Sequence, residues 1–212
     1  MGYRTVGFWM VLVFAIAPAI ASASSVEKIR NDKVLTVEVT LAPGESETIP
    51  ADYPSIVVFM TPGNEEMTRA DGTRQREDVK EGETVFQAAH SGSVMNAGAM
   101  PLRYARVEFH TAGKDVTWGR TGMPPNYTVL LENRYARAYD IKIAAHEFEQ
   151  RHTHHARVVI SLQGATLEHL LPNGQKQPST LKTGEIVWRP GATHVGHNLG
   201  DTNLWVIAIE PK

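Results

Sequence analysis

The chain has 212 residues, a formal charge of −2, nine histidines and no cysteine. A near-neutral balance without a basic stripe argues against nucleic acid as a partner. Without cysteine there is no disulfide framework, thiolate metal site or cysteine nucleophile, so stability must come from packing.

Residues 1–23 read as a cleavable export signal. Arg4 supplies the cation of a short n-region, residues 6–17 are an apolar run, and Ala21-Ser22-Ala23 permits cleavage after Ala23. The run is short of the roughly 20 residues a membrane span needs, and Pro18 breaks it. The mature protein is therefore expected in the periplasm or outside the cell, free of the membrane once the signal is removed. Loss of Arg4 moves its formal charge from −2 to −3.

From residue 34 onward, short apolar stretches alternate with turn signals, and almost nothing shows helical period. Residues 34–41 (VLTVEVTL) alternate as a half-buried strand does and stop at Ala-Pro-Gly. Strands follow at 55–60, at 82–86 after an Asp71-Gly72 turn, and at 102–109. The second half repeats the series, with strands at 138–144, 156–162, 184–188 and 204–210 and a turn at Pro172-Asn173-Gly174.

The two series are copies of one unit. A shift of 102 positions superposes Gly72, Gln75, Lys80, Gly82, Glu83, Asn96 and Gly98 on Gly174, Gln177, Lys182, Gly184, Glu185, Asn198 and Gly200, without a gap. Evenly spaced short strands broken by Gly, Pro and Asn predict an all-β chain of two tandem jelly-roll barrels. The expected division is 24–110 for the first barrel, 111–126 for a linker packed through Trp118, and 127–212 for the second.

The copies differ where chemistry is concerned. His152, His154 and His194 stand where the first copy has Pro50, Asp52 and Gly92. Residues two apart on a strand share a face, so His152 and His154 should project into one barrel interior. His194 follows the Pro190-Gly191 turn on a later strand that can face them across the lumen. Three neutral imidazoles converging in this way suit one divalent transition metal, and imidazole does not discriminate among Fe, Mn, Zn, Ni and Cu.

The residues 152–164, beginning His152-x-His154 and ending at Gly164, together with Gly184, Pro190, His194 and Asn198, resemble the two motifs of the cupin superfamily. With the duplication, the chain resembles a bicupin over nearly its whole mature length. The resemblance implies His152, His154 and His194 as metal ligands. It also implies a first barrel that is structural, although its inner face can accept an apolar ligand.

The sequence departs from the family pattern in two ways. The Glu ligand expected after the second His is missing: counting from one end of the motif gives Val158, and from the other Arg157. Strand alternation favours Val158 as the inward residue. The Pro190-to-His194 spacing is one residue short. Glu147 and Glu149 precede the His pair and read as solvated turn carboxylates, since they match Glu45 and Glu47 of the other copy. Three neutral ligands leave about two positive charges on a divalent metal, which favours an anionic or chelating small molecule.

Other residues complete the expected site. Arg157 and Arg189 are candidates to hold a substrate carboxylate, and Trp188 to line the pocket, although Trp188 and Trp205 also read as core. His146, His155 and His197 are candidate neighbours of the ligands. His90, His110 and His169 read as exposed. The resemblance implies dioxygenase-like chemistry on a small anion. The other reading is a non-enzymatic periplasmic protein, monomer or homodimer, that binds a small ligand or a metal.

Overall fold

The computed structural model describes residues 23–50, 52–119 and 122–212; the expected signal at 1–23 lies, apart from Ala23, outside them. Among the described residues there are eighteen strands and no helix, as the period-two patterning requires. The first half runs β1 (Ser24–Arg30), β2 (Val34–Leu41), β3 (Ser46–Ile49), β4 (Ser55–Phe59), β5 (Gly63–Arg69), β6 (Arg74–Val79), β7 (Thr84–Gln87), β8 (Gly92–Asn96) and β9 (Leu102–Phe109). The second runs β10 (Tyr127–Glu132), β11 (Ala136–Ile143), β12 (His152–His154), β13 (Arg157–Gln163), β14 (Ala165–Leu170), β15 (Lys176–Leu181), β16 (Ile186–Arg189), β17 (Ala192–Asn198) and β18 (Leu204–Pro211).

Each half folds into a five-stranded and a four-stranded antiparallel sheet. The orders are β1-β2-β9-β4-β7 and β3-β8-β5-β6 in the first half, and β10-β11-β18-β13-β16 and β12-β17-β14-β15 in the second. Every strand n of the first half thus has its counterpart nine strands later. The duplication extends to register, since Val34 pairs with Phe109 as Ala136 pairs with Pro211. Even the β-bulges at Glu27/Ile29 and Val129/Leu131 correspond.

Strands β1 and β10 were not anticipated from the sequence. Each is an added edge strand: β1 is mostly solvent-facing, and β10 is half-buried, with Tyr127, Val129 and Leu131 packed against the cores and none of its residues fully buried.

The five-stranded sheets are buried on both faces, and this sets the architecture. One face of β4 and β9 (Ile56, Val58, Val107, Phe109) packs against the matching face of β13 and β18 (Val158, Ile160, Ile207, Ile209) to form a core between the barrels. The opposite faces close each barrel: Val57, Phe59 and Tyr104 in the first, and Val159, Val206 and Ala208 in the second. Complete burial of such a side chain is worth about 1.5–3 kcal/mol, so the two halves stabilise one another. The pairing is quasi-symmetric. Gly82 packs beneath Trp205, while its repeat mate Gly184 packs beneath Arg103, the mate of Trp205.

The repeat also explains one strained backbone position. Gly44 turns at φ +79°, and His146 holds the same turn at φ +63°, the one non-glycine residue with positive φ among those described. Asn96 and Asn198, fully buried mates, bond the carbonyls of Leu41 and Met100 and of Ile143, Ala144 and Thr202, respectively. Asn198 is therefore a structural post of the repeated unit, present equally in the half without the histidine triad. Gly164 lies where a Cβ would come within 2.2 Å of the Leu181 carbonyl oxygen, so the motif glycine answers to backbone approach.

Candidate functional site

Strand β12 pairs antiparallel with β17, which sets His152 directly opposite His194. His154, two residues along, shares their face. The ring centroids are 4.8 Å apart for His152–His194, 5.1 Å for His154–His194 and 5.8 Å for His152–His154. All three are buried, and one nitrogen from each lies within 4.8 Å of the others. The short Pro190-to-His194 spacing does not misdirect the third histidine, because Gly191 packs closely against the His154–His155 backbone and holds β17 in register.

Hydrogen bonds to the backbone set the tautomers. His152 Nδ1 lies 3.0 Å from the Gln150 carbonyl and His154 Nδ1 lies 2.8 Å from the His155 carbonyl. Each Nδ1–H donates outward, leaving the Nε2 lone pair facing the lumen, the arrangement by which ligating imidazoles are oriented. His194 Nε2 is buried with no hydrogen-bond partner. Burial holds the imidazolium forms at bay. The His154 pKa is pushed down to about 3 by desolvation and then by the Arg157 cation, and that of His194 to about 2 by desolvation and the neighbouring histidines. These three residues can hold a divalent metal through neutral nitrogens.

The fourth polar group at the triad is Tyr127, at the start of β10. Its hydroxyl lies 2.9 Å from His152 Nε2 and 3.2 Å from Arg157 Nη1. It donates to the imidazole and accepts from the guanidinium, so it covers the one lone pair that His152 offers a metal. Desolvation raises the Tyr127 pKa to about 12, which keeps it a neutral donor.

Arg157, not Val158, faces the lumen. The chain leaves the four-stranded sheet after His154 and enters the five-stranded sheet at Arg157, and the bend at residues 155–156 resets the strand alternation. Val158 is consequently turned into the core between the barrels, while Arg157 and Val159 line the site. The position expected to supply a carboxylate carries a buried cation instead, and its Nε has no partner.

The remaining expected residues divide. Arg189 lines the same cavity and donates to Ser179 Oγ at 3.3 Å. Trp188, by contrast, packs against the core between the barrels, because β16 directs it to the opposite face from the lumen. Trp205 likewise lies at that junction, bonded to Asp140 at 2.7 Å. None of the three candidate neighbour histidines is at the triad. His146 is exposed on its turn, 3.1 Å from Asp201. His155 stacks on Trp118 at 4.2 Å on the outer face. His197 stacks on Phe148 at 3.7 Å, one residue out of phase with the lumen side of β17.

Two residues read from the sequence as solvent-facing belong to the cavity. His169 lies with its ring centroid 4.4 Å from that of His194, and its Nδ1 is buried without a partner. It shares the lumen face of β14 with Leu167, a spacing of two that would have placed it inside. His90 and His110 are half-buried rather than exposed. Glu147 is exposed as expected, but Glu149 is buried, lines the cavity and accepts from Asn126 Nδ2 at 3.1 Å. The cavity measures about 180 Å³.

Comparison with known proteins identifies the fold. No family model matches the sequence, and no curated protein is similar to it at a significant level. Solved structures are similar across nearly the whole chain. A cupin 2 conserved barrel domain protein from Leptotrichia buccalis has a TM-score of 0.61 at 14% identity, covering 93% of this chain and 92% of that one. AerE from Microcystis aeruginosa has a TM-score of 0.65 at 15% identity, with coverage of 94% and 95%. An oxalate decarboxylase–formate complex from Lactobacillus farciminis has a TM-score of 0.60 at 13% identity, with coverage of 86% and 78%. The architecture is thus the cupin jelly roll.

Proposed function

We propose that this chain is an exported two-barrel cupin whose second barrel holds one divalent metal on His152, His154 and His194 and takes a small chelating anion beside it. One observation carries the reading: His152, His154 and His194 form one buried cluster, and His154 and His194 open onto a small cavity shared with Arg157, a cation in the position where a carboxylate was expected. A divalent ion on neutral imidazoles beside the Arg157 guanidinium brings about three positive charges against one lining carboxylate, Glu149, and the surplus favours entry of an anion. The cavity, about 180 Å³, restricts that anion to a few heavy atoms. Oxalate, on which the Lactobacillus farciminis decarboxylase acts by its name, is of this size and charge.

The roles of the residues follow from their placement. His152, His154 and His194 would hold the metal, whose chemistry when bound is that of a Lewis acid on an oxygen of the anion. Arg157 presents its guanidinium to the anion's carboxylate, with Nε free to add a second donor. Tyr127, released from His152, keeps its proton and donates to the same ligand. His169 Nδ1 and Arg189 supply further polar contacts at the wall and rim. Dioxygenase-like turnover is the enzymatic form of this proposal. A binding protein without turnover is the second reading, favoured by the Tyr127 hydroxyl that closes off His152 Nε2.

The test is reconstitution of residues 24–212 with Fe(II), Mn(II), Zn(II), Ni(II) or Cu(II), followed by metal stoichiometry and titration with oxalate. The expected result is one metal per chain, lost in His152→Ala, and oxalate binding that requires both metal and Arg157. Absence of a stoichiometric metal overturns the proposal. Metal and oxalate binding without consumption of either oxalate or dioxygen, across a panel of small chelating acids, favours the binding protein.

A further inference from the structure

The first barrel, which lacks the triad, encloses the larger cavity: about 680 Å³, against about 180 Å³ in the second. That size falls within the roughly 300–1,000 Å³ usual for small-molecule sites. Its inner wall is apolar where Phe59, Met67, Val79 and Val85 line it. Set into this wall is Glu65 on β5, only 9% exposed. Among the described residues, its carboxylate has no hydrogen-bond or ion-pair partner; burial and the neighbouring Glu77 and Glu83 are what act on it.

The register makes the arrangement costly for the barrel by itself. Glu65 stands directly opposite Glu77 in the β5–β6 ladder, a cross-strand pair of like charges on one face. Glu83, in the turn after β6, lines the same cavity. The one buried cation at the inner end, Arg106, is already taken by Glu47 and Glu108. Tyr104, also at that end, donates to Glu47. Arg69 lies at the exposed outer rim. Desolvation, with Glu77 and Glu83 adding to it, raises the Glu65 pKa from 4.5 to about 7, which states the same lack of a counter-charge.

The fold does not require acids there. The repeat mates of Glu65 and Glu77 in the second barrel are Leu167 and Ser179. The two lumens therefore carry opposite polarity on one scaffold: acidic in the first barrel, basic and imidazole-lined in the second. A bare metal ion is a poor occupant of the acidic one. Among the described residues, the triad is the one group of three or more ligating side chains whose ligand atoms lie close enough to share an ion.

We propose that the first barrel binds a small organic cation, an ammonium with an apolar body, with its charge between Glu65 and Glu77 and its body on Phe59, Met67 and Val79. Cation and apolar wall together satisfy what the barrel alone leaves unpaired. This inference is independent of the metal proposed for the second barrel.

The experiment is calorimetric titration of the full chain with 2-phenylethylammonium, using 2-phenylethanol as the uncharged probe of the same shape. The expected result is one ammonium bound per chain at least tenfold more tightly than the alcohol. Glu65→Gln should weaken the ammonium at least tenfold and leave the alcohol unchanged, while His154→Ala binds the ammonium as the parent does. Glu65→Gln should also raise the melting temperature of the unliganded protein, whereas a carboxylate with a purely structural role would lower it. If Glu65→Gln does not fold, Glu77→Gln makes the same measurement. Equal binding of ammonium and alcohol, no binding at millimolar concentration, or unchanged ammonium affinity in the folded variant overturns the proposal.

Discussion

Replacing Tyr127 by Phe should strengthen metal binding while weakening the metal-free fold. In the parent, the hydroxyl sits 2.9 Å from His152 Nε2, so a metal must break that hydrogen bond before the third nitrogen is available. A neutral bond of this kind is worth about 0.5–1.5 kcal/mol net. At 1.4 kcal/mol per decade, its removal should improve metal affinity about 2- to 12-fold. The same hydroxyl accepts from Arg157 Nη1 at 3.2 Å, and Arg157 Nε is already unpartnered. Loss of the acceptor leaves a buried charge less satisfied, at about 1–3 kcal/mol. With about 2–4 °C per kcal/mol for a domain of this size, the metal-free melting temperature should fall by about 2–12 °C. Competitive titration against a chelating dye measures the first quantity and differential scanning calorimetry the second. Unchanged or weaker metal affinity in a folded Tyr127→Phe protein would refute the view that this hydroxyl competes for His152.

His194→Ala, by removing the unpartnered Nε2 ligand, should reduce bound metal from one per chain to a small fraction by elemental analysis, while circular dichroism stays that of the parent. His146→Gly should stabilise the fold by about 1 kcal/mol, because a left-handed backbone costs an L-residue about that much and glycine nothing; a lower denaturation midpoint would show the His146–Asp201 contact to be worth more. Asn96→Ala and Asn198→Ala should each cost about 2–4 kcal/mol, since each side chain satisfies several buried backbone groups. Equal losses in chemical denaturation would mark Asn198 as structural. For Glu65, the folded pKa lies above the unfolded one, so its carboxyl favours folding below about pH 4.5 and that contribution is lost as pH rises through about 7. The parent should therefore lose stability relative to Glu65→Gln between pH 4.5 and 8, by on the order of 3 kcal/mol at most. A gap in melting temperature that stays constant across this range would contradict it.

Much of the architecture was legible because it rests on local periodicity. Alternating strands such as 34–41, turns at Asp71-Gly72 and Pro172-Asn173-Gly174, and the 102-residue repeat led to the paired jelly rolls. The spacing of His152 and His154 placed them on one face. Residues whose position depends on a change of sheet were not legible. Val158 follows His154 by an even count and reads as inward, yet the bend at 155–156 exchanges its role with Arg157. The spacing of His169 from Leu167 could have marked it as inward, but only the β14–β17 pairing sets it against His194. Glu149 resembles its neighbour Glu147 in sequence, and burial alone separates them.

By itself, then, the sequence determined what each strand's alternation and each copy's composition encode: two β units, histidines in one of them, and no carboxylate after the pair. Tertiary structure decided what those residues face. Sheet-to-sheet crossings reset phase, the core between the barrels claimed Val158 and Trp188, and the added strand β10 brought Tyr127 over His152. The physical reason is one of range. Side-chain period is a property of a few consecutive residues, whereas partners across a barrel are chosen by pairing strands tens of residues apart.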